Sequence, residues 1–527
     1  MVSIPKPRLP TREEIRKYWV NDGPKALIII LFVAANIALF LYKFIEYRYE
    51  RSLVFDILGY GVPVARGSAM MLKFNSAMIL IPVLRNFLSF LRGTFLNNYV
   101  PFDKNIIFHR YIAWVICLAT FVHVMAHFRN FHVQSTTDLA DLKLIGIQEV
   151  PTTWGLAFRT LAGWTGHVLC VAMVLMFTSA IESIRRPMFE IFWFTHHLFI
   201  VYFGLLAVHG LRGTLETSTT WMWIIGPCVL YILERIIRLA RSKQTTMLIM
   251  AKQHPSRTIE LRMKTERFKY KPGQYLFLNC PTIARNEWHP FTITSAPEED
   301  FVSCHINVVG NWTGKLSTLL NPDKRLGVVQ ENLLNSPDGK PILRIDGPFG
   351  AASEEVFKYK TVMLIGAGIG VTPFASILKH IKFQLSKAYS TTGNTIEKVH
   401  FFWICRDRSS FEWFSGIIGA LEMDNVNNFL EIHPYLTGAL SAQEVRDVMY
   451  AGGDEEARDQ ITGFSAPTQF GRPKWTEIFA DFSQRYAGRD VGVFFCGPKV
   501  LSKDLYKHCR KFTQTTSCRY HYNKENF

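Results

Sequence analysis

Six long apolar runs, all before Gln244, constrain most of what this 527-residue chain can become. A helix crossing a bilayer core of ~30 Å needs ~20 mostly apolar residues. Runs centred on Ala26–Phe44, Ser68–Leu91, Ile106–Phe128, Gly163–Ile184, Met188–Val208 and Thr220–Leu239 meet or approach that length. One such run is often a buried core helix; six in succession predict a transmembrane helical bundle. Beyond them, short strand-like and helix-like stretches alternate, which predicts a soluble α/β half. The expected division is a polar segment over 1–25, a six-helix domain over 26–243, and soluble domains over 244–355 and 356–527. Segment 1–25 carries six Lys/Arg and does not read as a cleavable signal peptide.

Charge sets a direction. The formal net charge is +16, but basic charge alone reports only an electrostatic tendency, and no nucleic-acid partner is expected. The excess Lys/Arg sits at Lys6, Arg8, Arg12, Arg16, Lys17 and Lys25, between runs four and five (Arg185, Arg186), and after run six (Arg235, Arg238, Arg241, Lys243). With six spans these share one side, which the positive-inside bias makes cytosolic. Lys43, Arg48 and Arg51 after run one go against the trend. The nine cysteines form no C-x-x-C pair, so neither a zinc ribbon nor a disulfide framework is expected.

Histidines inside the apolar runs carry the chemistry. Run three holds His109, His123 and His127; run five holds His196, His197 and His209. Ionisable groups at membrane depth are costly and usually functional, and imidazole is a common axial ligand of haem iron. His109 to His123 spans ~21 Å of helix, and His196 to His209 ~20 Å. In depth, His109 therefore matches His196 and His123 matches His209, giving one bis-histidine haem near each face. Fourteen residues return a helix to within ~40° of the same face, whereas thirteen leave it ~140° away. Run five is therefore expected to bend or to carry a π-type bulge.

These residues, with Phe-Trp-Phe-Thr-His-His-Leu at 192–198 and His209-Gly210, resemble the NADPH oxidase family, and the likeness runs from Arg66 to the terminal Lys-Glu-Asn-Phe. It is closest to the short members without calcium-binding EF-hands, such as the phagocyte and fungal A-type oxidases. The resemblance implies six transmembrane helices, two b-type haems and a ferredoxin–NADP reductase-like module of a β-barrel FAD domain plus an α/β NADPH domain. It selects His196 over His197 as the ligand. It also gives Arg66 and His127 a role in a polar pocket that receives oxygen at the outer haem and favours an anionic product.

In the soluble half, His289-Pro-Phe-Thr-Ile-Thr-Ser-Ala-Pro297 resembles the flavin motif of such reductases. His289, Pro290, Phe291, Thr292, Thr294 and Ser295 are its candidate contacts. His305, Ile306 and the turn Gly347–Gly350 join them by the same resemblance. Further on, the apolar strand Thr361–Ile365 runs into Gly366-Ala-Gly368-Ile-Gly370-Val-Thr372-Pro373 and then a helical pattern. That order aims backbone N–H groups and a positive helix end at a pyrophosphate. Val371 stands where a Rossmann fingerprint has its third glycine, so this is the reductase variant. Arg406, at the end of the next strand, suits a 2′-phosphate and favours NADPH over NADH. Cys496-Gly497-Pro498 resembles the family's last nucleotide motif, Arg472 is a weaker phosphate contact, and Phe527 is expected to stack on the flavin.

The expected activity is transfer of electrons from cytosolic NADPH through FAD and two haems to oxygen outside. The short loop Gly210–Ser218 favours superoxide as product. A ferric or cupric reductase of the same architecture is the alternative. Analogy with the family adds a Rac-type small GTPase, a cytosolic activator and a small membrane partner, in a plasma or internal membrane with both termini cytosolic. The charged insertion Thr437–Phe470 is where activators are expected to act.

Overall fold

The computed structural model describes residues 11–525 apart from 214, 245, 267, 321–328, 334–341, 389–395, 424–428, 441–444, 447–457 and 460. Two compact units emerge: one from Ala26–Leu91 and Phe95–Ile236, the other from the chain up to Lys25, Arg92–Thr94 and Ile237–Phe527.

The first unit is helical. Its main helices are Gly23–Ile45, Gly61–Met78, Arg85–Arg92, Asn105–Thr136, Leu161–Ser179, Phe189–His196, Phe199–Val208 and Thr220–Ser242. Each expected run has become helix, but the count of six spans is not reproduced. Among the described residues, four stretches are long and apolar enough to cross a membrane: Gly23–Glu50, Phe102–Thr136, Leu161–Ser179 and Phe189–Val208. The second run, expected as one span over Ser68–Leu91, instead starts at Gly61 and bends by 75° between Gly61–Val83 and Arg85–Arg92, which makes at most a fifth span. Pro82 is the cause, since it has no N–H to continue the ladder; Val83 N bonds instead to Leu80 O at 3.2 Å. The sixth run is a 23-residue helix with a polar second half (Glu234, Arg235, Arg238, Arg241), and it is not among those four. Glu234 is buried and accepts from Asn86 N at 3.0 Å and Phe87 N at 3.4 Å. Its negative charge thus caps the bent-off helix at the positive end.

Run five is interrupted as its spacing requires. Helix Phe189–His196 stops, His197 N bonds back to Phe194 O at 3.2 Å and Leu198 N to Thr195 O at 3.1 Å, and a new helix begins at Phe199. The tightening is of the three-residue kind rather than a π bulge. His209 lies beyond the second helix in extended conformation (φ −60°, ψ 121°).

The second unit holds two antiparallel sheets and one parallel sheet. Strands β1 (Thr246–His254), β2 (Thr258–Thr265), β5 (Val302–Asn307) and β6 (Val329–Leu333) order as β5-β2-β1-β6; β3 (Tyr275–Asn279), β4 (His289–Thr292) and β7 (Arg344–Phe349) order as β4-β3-β7. Leu248, Leu261, Leu276, Leu278, Ile293 and Ile345 fill the core between them. The parallel sheet orders β11-β10-β9-β8-β12-β13, from β8 (Thr361–Ala367), β9 (Lys398–Cys405), β10 (Leu430–Leu436), β11 (Gln469–Phe470), β12 (Asp490–Cys496) and β13 (Arg519–Lys524). Its strands are nearly continuous apolar runs because both faces are covered. Val362, Leu364, Phe401 and Trp403 enter one core, and Met363, Ile365, Phe402 and Val493 the other.

Candidate functional site

In the helical unit, the rings of His109 and His196 face each other with centroids 6.3 Å apart. Two metal–imidazole bonds of ~2 Å plus two ring half-widths add to ~6 Å, so the gap suits one shared iron. The free ring nitrogen is fixed by what the other one binds. His109 Nδ1 donates to Ile79 O at 2.9 Å and His123 Nδ1 to Ala65 O at 3.0 Å. A carbonyl can only accept, so in both residues Nε2 is left with its lone pair. Ile79 O is available because the break at Pro82 withdraws its helical donor. His209 Nδ1 lies 2.8 Å from Thr165 Oγ1, and that hydroxyl donates to Leu161 O at 2.5 Å. Such outer partners orient metal-binding imidazoles.

Around His123 the structure gathers both expected oxygen-pocket residues. His127 stacks edge-on at 4.5 Å, and Arg66 follows the Ala65 carbonyl that His123 binds. Sequence reasoning missed the partner of Arg66. Glu216, in the short loop before the last helix, sits 3.7 Å from the Arg66 guanidinium and 3.6 Å from Lys43 Nζ, and accepts the Tyr47 hydroxyl at 2.7 Å. Arg66 also lies 5.2 Å over the Tyr47 ring. A lone acid facing basic residues of earlier runs was the only available signal.

In the second unit, β4 is the edge strand beside β3, as Pro290 dictates, since proline cannot donate to a ladder on both sides. His289, Pro290 and Phe291 are partly or fully exposed along it, and the His289 ring packs on Trp312 at 4.3 Å. Thr292, Thr294 and Ser295 turn inward. Thr294 Oγ1 meets Ser303 Oγ and His305 Nδ1, both at 2.8 Å; Ser295 Oγ accepts from Ser303 N at 2.9 Å and contacts the Tyr270 hydroxyl at 2.7 Å. The last two hydroxyls thus bind protein, and a ligand would meet this stretch through its backbone. Burial drives the His305 imidazole down to about 3, so it is neutral at physiological pH. It packs on Trp413 at 4.3 Å, near Glu260, which Arg262 and His254 hold at 2.7 and 3.3 Å. Ile306 is buried. Gly347 (φ 154°) passes so close to β3 that a Cβ would lie 3.2 Å from Leu276 Cα. Beside it, buried Asp346 takes Arg238 Nε at 2.6 Å and Arg241 Nη2 at 3.1 Å. Gly350 ends the turn.

The nucleotide candidates collect at the carboxyl ends of the parallel strands. Strand order reverses between β8 and β12, and ligands of such sheets bind at that switch point. Gly366, Gly368 and Gly370 follow β8, with Thr372 and Pro373 opening helix Thr372–Ala388; Cys496, Gly497 and Pro498 follow β12. A Cβ on Gly370 would lie 2.3 Å from Cys496 O, so the two loops touch as only glycine permits. Burial pushes the Cys496 thiol upward, which keeps it protonated. Arg406 is exposed after β9, and Arg472 is exposed after β11, at the same edge. Ser376 Oγ donates to Ser295 O at 2.6 Å, tying the nucleotide helix to the flavin-motif stretch. Phe527 and, within the insertion Thr437–Phe470, residues 441–444, 447–457 and 460 lie outside the described residues. Strand β13 pairs Lys524 with Phe495, beside the Cys496 loop.

Paired histidines on apolar helices, joined in one chain to an antiparallel flavin-type domain and a parallel nucleotide-type sheet, define a membrane-bound flavin-dependent oxidoreductase. Three family comparisons agree: "Ferric reductase like transmembrane component" matches residues 70–207, "FAD-binding domain" 243–353 and "Ferric reductase NAD binding domain" 359–510. The chain is 72% identical over 523 residues to a superoxide-generating NADPH oxidase heavy chain of Dictyostelium discoideum, covering 99% of this chain and 100% of that one. It is 45% identical to a second such heavy chain of the same organism (98% and 75% covered) and 38% identical to NADPH oxidase 1 of Mus musculus (96% and 94%). The chain belongs to the NADPH oxidase family. It is an integral membrane oxidoreductase with FAD- and NAD-binding domains.

Proposed function

We propose that this chain is the catalytic subunit of a transmembrane NADPH oxidase, oxidising cytosolic NADPH and reducing oxygen to superoxide on the outer side. The observation that carries the reading is the 6.3 Å facing of His109 and His196, together with Nδ1 bonds that leave Nε2 lone pairs on His109 and His123.

His109 and His196 would hold an inner haem b, and His123 and His209 an outer one. The flavin accepts hydride and the haems pass single electrons when bound, chemistry that belongs to the cofactors. The chain supplies position and electrostatics. The edge strand His289–Thr292, Thr294, Ser295, His305, Ile306 and the turn from Gly347 to Gly350 line the FAD site. Gly366, Gly368, Gly370, Thr372 and Pro373 present N–H groups and a helix start to the NADPH pyrophosphate, and Arg406, with Arg472, meets the 2′-phosphate. Cys496, Gly497 and Pro498 would flank the nicotinamide. At the outer pair, Arg66 and His127 hold oxygen and stabilise negative charge as it forms. Residues 26–243 form the six-span haem domain, 244–355 the flavin domain and 356–527 the nucleotide domain, with residues 1–25 and the C-terminus cytosolic. A Rac-type GTPase, a cytosolic activator acting through Thr437–Phe470 and a small protein in the membrane are the partners this reading implies, in a plasma or internal membrane.

The test uses purified protein in lipid vesicles, with NADPH on one face and superoxide-sensitive dye on the other, plus any activator and a ferric chelate in parallel. Dye reduction inhibited by superoxide dismutase, and abolished in His209→Leu, is the expected result. Chelate reduction insensitive to dismutase, with little oxygen use, would move the chain to the metalloreductases.

A further inference from the structure

On the parallel sheet, away from the nucleotide loops, three side chains converge with no part in the chemistry above. His400 is the third residue of β9; Glu431 and His433 lie near the start of β10; the register sets His400 directly beside Glu431. We infer that His400, Glu431 and His433 form a binding site for one exchangeable divalent metal ion of the zinc class.

The geometry is the first argument. His400 Nδ1 lies 3.1 Å from Glu431 Oε2, His433 Nε2 lies 3.9 Å from the same oxygen, and all three donor atoms fall within 4.8 Å of one another. Ligand bonds of ~2.0–2.1 Å at tetrahedral angles place donor atoms ~3.3 Å apart, so small side-chain movements close the set. The imidazole centroids are 5.9 Å apart, within the ~5–6 Å that two imidazoles on one metal span. Two imidazole nitrogens and one carboxylate oxygen suit zinc better than calcium or magnesium, which prefer all-oxygen sites.

The second argument is the state of the nitrogens. His400 is fully buried, and both His400 Nδ1 and His433 Nε2 are buried atoms without a hydrogen-bond partner. A buried polar atom left unpaired is costly. His400 Nδ1 is close to the carboxylate yet out of line for an N–H···O bond. In the tautomer whose Nε2–H donates to Tyr486, the Nδ1 lone pair meets a carboxylate oxygen at 3.1 Å, a repulsion that a cation between them relieves. The other nitrogen, Nε2, is 2.6 Å from the Tyr486 hydroxyl, the kind of outer bond that fixes a ligating imidazole.

Neighbouring cations set the strength. Lys398 Nζ holds Glu431 Oε1 at 2.6 Å, and Arg485 Nη1 approaches Oε2 at 3.7 Å. Arg485 is half exposed and has its own tighter partner, Asp481, at 2.6 Å, so it can yield. Lys398 stays and neutralises part of the carboxylate. The site therefore has affinity on the order of micromolar rather than that of a structural zinc. Glu431 and His433 keep about a quarter of their side-chain surface exposed, which leaves an entry route.

The test is equilibrium dialysis of full-length holoenzyme in lipid nanodiscs, stripped with chelator, against micromolar zinc-65. Flavin content and the absorption spectrum serve as folding controls. The expected result is one equivalent more zinc in the unaltered protein than in His433→Ala or Glu431→Gln. Lys398→Ala removes the competing cation and tightens binding several-fold, a gain that misfolding cannot mimic. Equal zinc content in the unaltered protein and both loss variants, or no tightening in Lys398→Ala, overturns the site.

Discussion

Replacing Thr165 with valine removes one buried hydroxyl and tests the ligand geometry of the outer histidine pair. The Thr165 side chain lies on helix Leu161–Ser179 and is fully buried. Its Oγ1 donates to Leu161 O, so toward His209, at 2.8 Å, it can only accept. The proton is therefore on His209 Nδ1, and Nε2 keeps the lone pair that the proposed outer haem would need. Valine keeps the shape but leaves the Nδ1–H buried without a partner. That costs about 1–3 kcal/mol, or roughly 5- to 150-fold in haem affinity at tenfold per 1.4 kcal/mol. A similar loss, about 10- to 100-fold, follows the removal of outer partners in metal sites generally. The assay is haem per flavin in purified protein, followed by the rate of haem transfer to an excess of a haem-scavenging protein. One of the two haems should be lost preferentially from Thr165→Val, and Thr165→Ser should restore it. A valine variant that keeps both haems at the original transfer rate would refute the tautomer argument.

Three other outcomes follow from the second unit. Arg238→Met leaves Asp346, 2% exposed, with Arg241 alone; breaking a buried pair from one side costs about 3 kcal/mol. At ~2.1 cal/mol/K per residue, a flavin domain of about 110 residues loses roughly 13 °C from its midpoint in thermal unfolding, and an unchanged midpoint would count against the pair. Asn21 bridges β13 with its side-chain amide, donating to Tyr520 O at 2.8 Å and accepting from Tyr522 N at 2.9 Å. Asn21→Ala should therefore speed hydrogen exchange at the Tyr522 amide by an amount matching about 1–3 kcal/mol. The last concerns pH. His305 is held at about 3 when folded, against 6.5 when exposed, so the unfolded chain binds the extra proton between those values. Its contribution to stability is complete above pH 6.5 and falls by about 1.4 kcal/mol per unit as pH drops toward 3. Denaturant melts by tryptophan fluorescence at about pH 7.5 and about pH 5 should show this loss, and His305→Gln should flatten it.

The sequence exposed what depends on period and order. Apolar length located every main helix of the first unit. Depth matching set His109 against His196, and the folded chain brings those two rings to face each other. The motif order His289–Pro297, then Gly366–Pro373, then Cys496–Pro498 anticipated an antiparallel domain followed by a parallel sheet. It was silent where distant segments meet. Glu216 reads as a loop acid until folding puts it against Arg66, Lys43 and Tyr47. Thr294 and Ser295 read as hydroxyls offered to the flavin, whereas the continuous burial of Thr292–Ala296 ties them to Ser303, His305 and Tyr270. Hydropathy could not settle the count of spans, because it averages over Pro82 and over the charged end of Thr220–Ser242.

Those failures of regular helix are also what the histidines use. A continuous helix through 79–84 would give the Ile79 carbonyl to Val83 N and leave His109 Nδ1 without its acceptor. A continuous helix through 189–209 would turn His209 ~140° from His196, on a different face. The structure breaks both, at Pro82 and at His197–Leu198, and ends the second helix so that His209 extends toward Thr165. Each break gives up local backbone bonds within an otherwise regular helix, a loss that hydrogen-bonding energetics make worthwhile only if the released groups find partners. Here a released carbonyl finds a histidine, and a released histidine finds a hydroxyl. A break that frees a carbonyl facing a histidine on another helix, or a spacing that misses one face, is thus where the proposed ligand geometry is to be looked for. In this chain the thirteen-residue spacing carried that information before any coordinate did.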